Sequence, residues 1–277
     1  MRKITLGAIL RHGILLFSVA FTLLPLLFTF LTSLKLFRDV ISGSLLFRPT
    51  LRNYQILFNP SQTNFTRLTL NSIVTSSGTT LLVLFIATLT AYSLSRFPWR
   101  RLWSSLIMGW LLFMHMLPPI TYVTPFYLLT RSIGIYDTPA AVIMGHIVLQ
   151  LPTAVWMLYD FFAEVPKELE EAALVDGSSR WQAFWRVILP LTAPGLAAAA
   201  VLVFVFSWRD FLFALSLTST PHGMTVPVGI AGFVHEYNIR YGEMAAASFF
   251  ATLPSLLLVT FAQRYIVKGL TLGALKG

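Results

Sequence analysis

Residues 168–190 read ELEEAALVDGSSRWQAFWRVILP. Pro166, just ahead of them, suits the first turn of a helix, where its missing N–H costs nothing. Glu168, Glu170 and Glu171 favour the positive N-terminal end of a helix dipole. Leu169, Ala172 and Ala173 make a small apolar stripe at spacings of three and four. Gly177 after Asp176 predicts a helix stop, and Ser178 or Ser179 can cap a second helix. Trp181, Phe184, Trp185 and Ile188 recur at helical spacing and predict one face of that second helix. Pro190 and Pro194 lie just inside the long apolar segment that follows. The stretch therefore reads as two short helices joined by a glycine elbow. Two uses are open to it. It can lie in a membrane interface, with both tryptophans at the headgroups. Alternatively, Ala172, Ala173 and Gly177 leave a surface flat enough for another protein to dock.

The rest of the chain is far more apolar. Of 277 residues, 56% are hydrophobic and 11% charged, and the mean hydropathy is +0.73. Soluble domains carry about 25% charged residues, so this chain cannot cover a soluble surface of its size. Six apolar runs, at about 12–34, 69–95, 103–130, 139–162, 187–217 and 243–267, are long enough to cross a bilayer, which takes roughly 20 residues each. The expected fold is an all-α polytopic membrane protein, a single membrane domain over 1–277 with its core at about 69–267. The alternation of a membrane β-barrel is absent. The N-terminal apolar run continues to about Leu34, longer than a signal-peptide core, with no clear small-residue cleavage site, and reads as a first membrane helix. Pro118-Pro119 predicts a sharp bend in the third run.

The net charge of +9 is distributed at the ends of apolar runs, as membrane topology requires, and not as the basic patch of a nucleic-acid binder. Counting Lys and Arg over the short loops places both termini and residues 163–186 on the cytoplasmic side. It leaves 35–68 and 218–242 outside. The absence of cysteine removes thiol chemistry and cysteine metal sites. His12, His115 and His146 stand isolated in apolar segments without a ligand cluster, which argues against a metal site.

Glu171-Ala172-Ala173, three residues, Gly177, nine residues and Val187-Ile188-Leu189-Pro190 resemble the EAA loop of ABC importer permeases. Val187 departs from that pattern, which has Ile. The ending QRYIVKGLTLGALKG (263–277), NSIVTS at Asn71, GIYDTPAA at Gly134 and FVFSWRDFLFALSLTST at Phe204 are similar to the MalG-type subunit of carbohydrate importers. The resemblance covers nearly the whole chain but not the substrate, for which an oligosaccharide such as maltose or trehalose is the nearest match and glycerol phosphate or another polyol is the alternative. It implies a type I importer permease in the bacterial inner membrane, forming half of a translocation path. The other half is a second, MalF-like permease. Two ATPase subunits carry the ATP and Mg, and an extracytoplasmic solute-binding protein delivers substrate. No enzymatic activity or cofactor is expected on this chain, which has no G-x-x-x-x-G-K-[ST] phosphate loop. The EAA loop, 164–190, would be the coupling helix seated on an ATPase, with Glu171, Ala172, Ala173, Asp176 and Gly177 at the contact. The tail, 264–277, with Lys268, Gly269 and Lys276, would reach between the ATPases. Segment 218–242 is similar to the family loop that enters the binding protein, with Phe233 and Tyr237 as contacts, and can equally be an ordinary connection.

Arg209 and Asp210 fall in the outer half of the fifth run. Charges there cost free energy unless they face protein or a watered path. The family often has Asn where Arg209 stands, so Arg209 either donates hydrogen bonds to a sugar or snorkels to the interface. Gln150, Asn71 and Thr121 line the path or bond between helices. Asp160 and Glu164 read as solvated ends of the fourth run. A secondary transporter working without an ATPase is the alternative. It would more often show two halves related by a repeat, and no such halves stand out.

Overall fold

The computed structural model describes residues 6–235 and 238–274. Among them the elements in chain order are α1 (Leu6–Ser33), α2 (Phe37–Ile41), α3 (Arg52–Leu57), α4 (Phe65–Arg96), α5 (Arg101–Met116), α6 (Ile120–Ser132), α7 (Pro139–Glu164), α8 (Lys167–Val175) and α9 (Arg180–Ala183). A π-helical turn (Phe184–Ile188) follows, then α10 (Leu189–Leu191), α11 (Ala193–Arg209), α12 (Leu212–Leu217), α13 (Val226–Ala231), a two-stranded antiparallel hairpin of β1 (Val234–His235) and β2 (Asn238–Ile239), and α14 (Tyr241–Ala274). Four helical segments are long and apolar enough to cross a membrane: Leu10–Ser33, Phe65–Arg96, Pro139–Glu164 and Tyr241–Phe261. Two further spans are bent pairs, α5 with α6 at 98° and Arg180–Leu191 with α11 at 73°. Counting each pair as one span gives six.

Each bend has a local cause. Pro118 and Pro119 lack the N–H groups that would continue α5, and Leu117 ahead of them is extended, at φ −69° and ψ 131°. Met114 O would have accepted from position 118. It accepts instead from Tyr122 Oη at 2.8 Å, since apolar surroundings leave no other partner for a freed carbonyl. At the second bend Pro190 and Pro194 remove two more donors, and Thr192 Oγ1 donates to Ile188 O and Leu189 O at 3.1 Å each. The fifth apolar run differs from the sequence expectation. Its helix stops at Arg209 and does not continue to 217, because Asp210 turns extended, at φ −64° and ψ 131°. The Asp210 carboxylate accepts from the backbone N–H groups of Phe213 and Ala214 at 3.0 and 3.2 Å and so starts α12.

The chain divides into two compact units. One takes residues up to Thr66 together with Gly229–Leu253. There Asn53 Nδ2 donates to Ser33 O and Lys35 O at 2.8 Å each, capping the carbonyl end of α1. The Asn53 amide lies 2.7 Å from where a Cβ on Gly242 would stand. Phe58, Phe65 and Phe250 pack edge to face, with ring centres 5.2–5.7 Å apart.

The other unit takes Arg67–Val228 and the remainder of α14. Its main core joins α4 (Val83, Ala87, Ala91), α7 (Ala154, Val155, Leu158, Phe162), the π turn (Phe184, Ile188) and α11 (Ala199, Val203). The small residues let helix backbones approach closely where lipid gives no hydrophobic drive for association. A second cluster joins Tyr122, Val142, Phe213 and Leu217. At its centre a Cβ on Gly145 would stand 2.3 Å from the fully buried Phe213 ring. Gly145→Val should therefore lower stability by about 1–3 kcal/mol, read as a lower unfolding midpoint in detergent. Gly109→Ala, inside α5 with nothing within 4 Å of its Cβ position, should not lower that midpoint and can raise it slightly.

Candidate functional site

The elbow forms as the sequence predicts, with refinements. Val165, ahead of Pro166, is extended and ends α7. Helix α8 starts one residue after the proline and ends in a Schellman turn. Gly177 N–H donates to Leu174 O at 3.1 Å and Ser178 N–H to Ala173 O at 3.0 Å, with Gly177 at φ +88°. Ser179 caps α9 in a reciprocal box with Gln182. The expected single face of the second helix splits. Phe184 and Ile188 are buried in the core, while Trp181 and Trp185 are exposed, the two pairs centring about 60° apart around an α-helix. Glu171, Ala172, Asp176 and Gly177 are exposed and Ala173 is partly so. With Leu169 and Val175, also exposed, they form one open surface.

What holds that surface in place is Glu170. Its carboxylate is buried, accepts from Tyr92 Oη at 2.7 Å, and lies 3.5 Å from Arg96 Nε. Arg96 Nη2 also donates to Phe162 O at 2.9 Å and Val165 O at 2.7 Å. The guanidinium thus joins the end of α4 to the end of α7 and the start of α8. Arg96 and Glu170 side chains are 3% and 7% exposed. The sequence reading weighted Glu171 and passed over Glu170. The available signal was Tyr92 and Arg96, four residues apart on one helix face, with a carboxylate lacking a partner elsewhere.

A cavity of about 630 Å³ brings together three of the expected path residues, Gln150, Arg209 and Asp210, with His115, His146 and Phe206. Arg209 stacks over the Phe206 ring at 4.3 Å. The buried His146 bonds Ser207 Oγ through Nδ1 at 2.7 Å, and its Nε2 lies 3.0 Å from Asp210 Oδ2. His146 thus fixes the cavity carboxylate, a link the sequence reading did not see. A cavity with a few convergent polar groups and apolar walls is the usual form of a small-molecule site. Asn71 lies elsewhere: its Nδ2 donates to the carbonyls of Pro221, His222 and Met224 at 2.9–3.2 Å.

Those bonds pin the start of segment 218–242. Asp137, at φ +62°, accepts from Ser219 N, Thr220 N and Thr220 Oγ1 at 2.6–3.0 Å. Partial burial pushes the Asp137 carboxyl up, but the bonds from Thr220 and the two backbone amides, with His222 nearby, hold it below the usual carboxylate range. Arg67 bonds His222, and Val226 N–H donates to Ser72 Oγ at 2.8 Å. Phe233, expected as a contact, is 7% exposed at the base of the hairpin. Arg240 covers its ring at 5.5 Å and Arg240 N–H donates to Phe233 O. Val234 of the hairpin is exposed. Tyr237 lies outside the described residues, as does Lys276, while Lys268 and Gly269 fall within α14.

A family model described as binding-protein-dependent transport system inner membrane component matches residues 84–272. The chain is 40% identical over 264 residues to the trehalose transport system permease protein SugB of Mycobacterium tuberculosis, covering 94% of each chain. It is 37% identical over 235 residues to the trehalose/maltose transport system permease protein MalG of Thermococcus litoralis, covering 83% of each. A solved structure of a bacterial ABC transporter involved in the import of the acidic polysaccharide alginate superposes with a TM-score of 0.77, over 96% of this chain and 98% of that one. At 20% identity that likeness speaks to the fold.

Two outcomes follow from the geometry. Arg96→Ala leaves the Glu170 carboxylate buried without its cation and should destabilise the chain by about 3–5 kcal/mol, measured by thermal unfolding in detergent. Asp137 is bound more tightly when ionised, so its stabilisation is full above the ordinary carboxyl value of 3.8 and is lost as pH falls through the lower folded value. The protection of the Ser219 and Thr220 amides against exchange, relative to their intrinsic rates, should fall only at that acid end. In Asp137→Asn, which tolerates the same backbone conformation, that protection should lose its step at the acid end.

Proposed function

Because the chain belongs to the family of binding-protein-dependent transport system inner membrane components, we propose that it is one permease half of an ATP-driven importer for a carbohydrate, with the EAA loop as its contact to an ATPase. The observation that carries this reading is α8 itself. It presents Glu171, Ala172, Asp176 and Gly177 on an open surface while Glu170 ties its other side to α4 and α7 through Arg96. A helix that must shift an equilibrium has to bind its partner differently in two states and pass the difference on. A short helix hung only on flexible loops would absorb it.

In this reading residues 1–277 form a single permease domain with both termini cytoplasmic, and α8 lies at the inner face of the bilayer. A second permease completes the path. Two ATPase subunits, with their ATP and Mg, sit beneath it, and the α14 tail beyond Lys268 runs toward them. A solute-binding protein docks outside, against segment 218–242. The sugar class is supported by what the relatives named above carry in their own names. The cavity around Gln150, Arg209 and Asp210 offers the donors and acceptors that hydroxyl groups need.

Gentle purification of the tagged chain should recover a second permease and an ATPase in stoichiometric amounts; recovery of the chain alone, after cross-linking controls, would sink the assignment. In the recovered complex Gly177→Val should uncouple ATP hydrolysis from uptake at normal membrane abundance. Its Cβ meets nothing within 4 Å, so the effect comes from forcing a β-branched residue to φ +88°, a strain of about 1–2 kcal/mol placed at the elbow. Unchanged coupling would remove Gly177 from the contact.

A further inference from the structure

A second cavity, of about 300 Å³, lies beside the first and is lined by Pro152, Thr153, Trp156, Met157 and Asp160 of α7 with Leu111, Leu112 and His115 of α5. His115 lines both cavities. Its Nδ1 lies 3.3 Å from Thr153 Oγ1, so the two spaces meet at this pair. Both fall within the range of roughly 300–1,000 Å³ typical of small-molecule sites.

The sequence of α7 explains why the cavities align. His146, Gln150, Thr153, Met157 and Asp160 follow one another at spacings of four, three, four and three, which is one stripe of a helix. Four of the five are polar. A polar stripe through the middle of a membrane helix is disfavoured against lipid and marks a face turned to protein or water. His146 at its start is buried and bonded to Ser207. The remaining positions open successively onto the first cavity, at Gln150, and the second, at Thr153, Met157 and Asp160. Trp156, 40% exposed, adds an aromatic face beside them. Pyranose rings present an apolar C–H face and a rim of hydroxyls, so an indole flanked by a hydroxyl, an imidazole and a carboxylate matches both.

We infer that the second cavity is a second carbohydrate subsite, cytoplasmic to the first, and that the His115–Thr153 pair is the constriction a sugar passes between them. This rests on the importer reading above. It assigns the path to specific residues: Trp156 stacks the ring, Asp160 accepts from hydroxyls at the inner end, and His115 exchanges its bond to Thr153 for one to the passing sugar.

The chain has no cysteine, so single replacements report on their own surroundings. The purified complex in proteoliposomes would carry Thr153→Cys, Trp156→Cys or Phe113→Cys. Phe113 is exposed on α5, about 160° around the helix from His115, and lines neither cavity. Each is treated with a charged thiosulfonate reagent, with labelling read on this chain by mass spectrometry. Thr153→Cys and Trp156→Cys should label at least tenfold faster than Phe113→Cys, and saturating trehalose or maltose should slow them. Met157→Cys on the same stripe serves if either variant fails to reach the membrane. Labelling as slow as at Phe113→Cys would overturn the path. Fast labelling that neither sugar slows would overturn the carbohydrate subsite. ATP-dependent uptake by the unsubstituted complex is scored separately, so failure of the importer reading shows there and not in the labelling pattern. As an independent check, Trp156→Ala should cut uptake at least tenfold while Trp156→Phe retains it; equal uptake by the two would overturn the stacking role.

Discussion

A guanidinium at the end of α4 bonds at once to the end of α7 and to the start of α8. Helix α7 must stop at Val165, because Pro166 forbids its continuation, and its last carbonyls are left without donors. Arg96 supplies two of the missing bonds, to Phe162 O and Val165 O. The buried cation then requires a counter-charge, and Glu170 supplies it from α8 with Tyr92 as a second donor to the carboxylate. Desolvation makes such a pair a poor source of net stability. Its value here is positional, since α8 has one seat in which no charge is stranded.

The same demand recurs wherever a membrane helix is interrupted. Tyr122 takes the carbonyl freed by Pro118, Thr192 takes those before the second bend, and Asp210 takes the first amides of α12. Each interruption has a hydroxyl or carboxylate within reach, and in one case that group also serves the candidate site. Asp210 caps α12, leans on His146, and faces the cavity of about 630 Å³. Structural bookkeeping and ligand chemistry therefore share one carboxylate.

Much of this was legible from residue order. The apolar runs gave the spans to within a few residues in most cases, Pro118-Pro119 gave the first bend, and Gly177 and Ser179 gave the elbow and its cap. What escaped was decided by side chains distant in sequence. Glu170 and Glu171 are adjacent and equally acidic, and only Tyr92 and Arg96 determine which turns inward. The break at Asp210 is invisible to hydropathy, since the apolar run continues through Leu217 and the interruption is a capping bond. That Arg240, across the hairpin, covers Phe233 is likewise not readable from residue order. His115 and Thr153 lie 38 residues apart and become neighbours only when α5 packs on α7.

Helix α7 is clasped at both ends. Just before its start, Asp137 binds the backbone of Ser219 and Thr220, and at its finish Arg96 binds Phe162 and Val165. Between them run 26 helical residues with Pro152 inside them, about 39 Å at ~1.5 Å per residue. A helix held at its two ends is biased to move as one body, so a shift at one clasp bears on the other. The loop at 218–220 and the helix at 167–175 are in that sense fastened to opposite ends of one and the same helix.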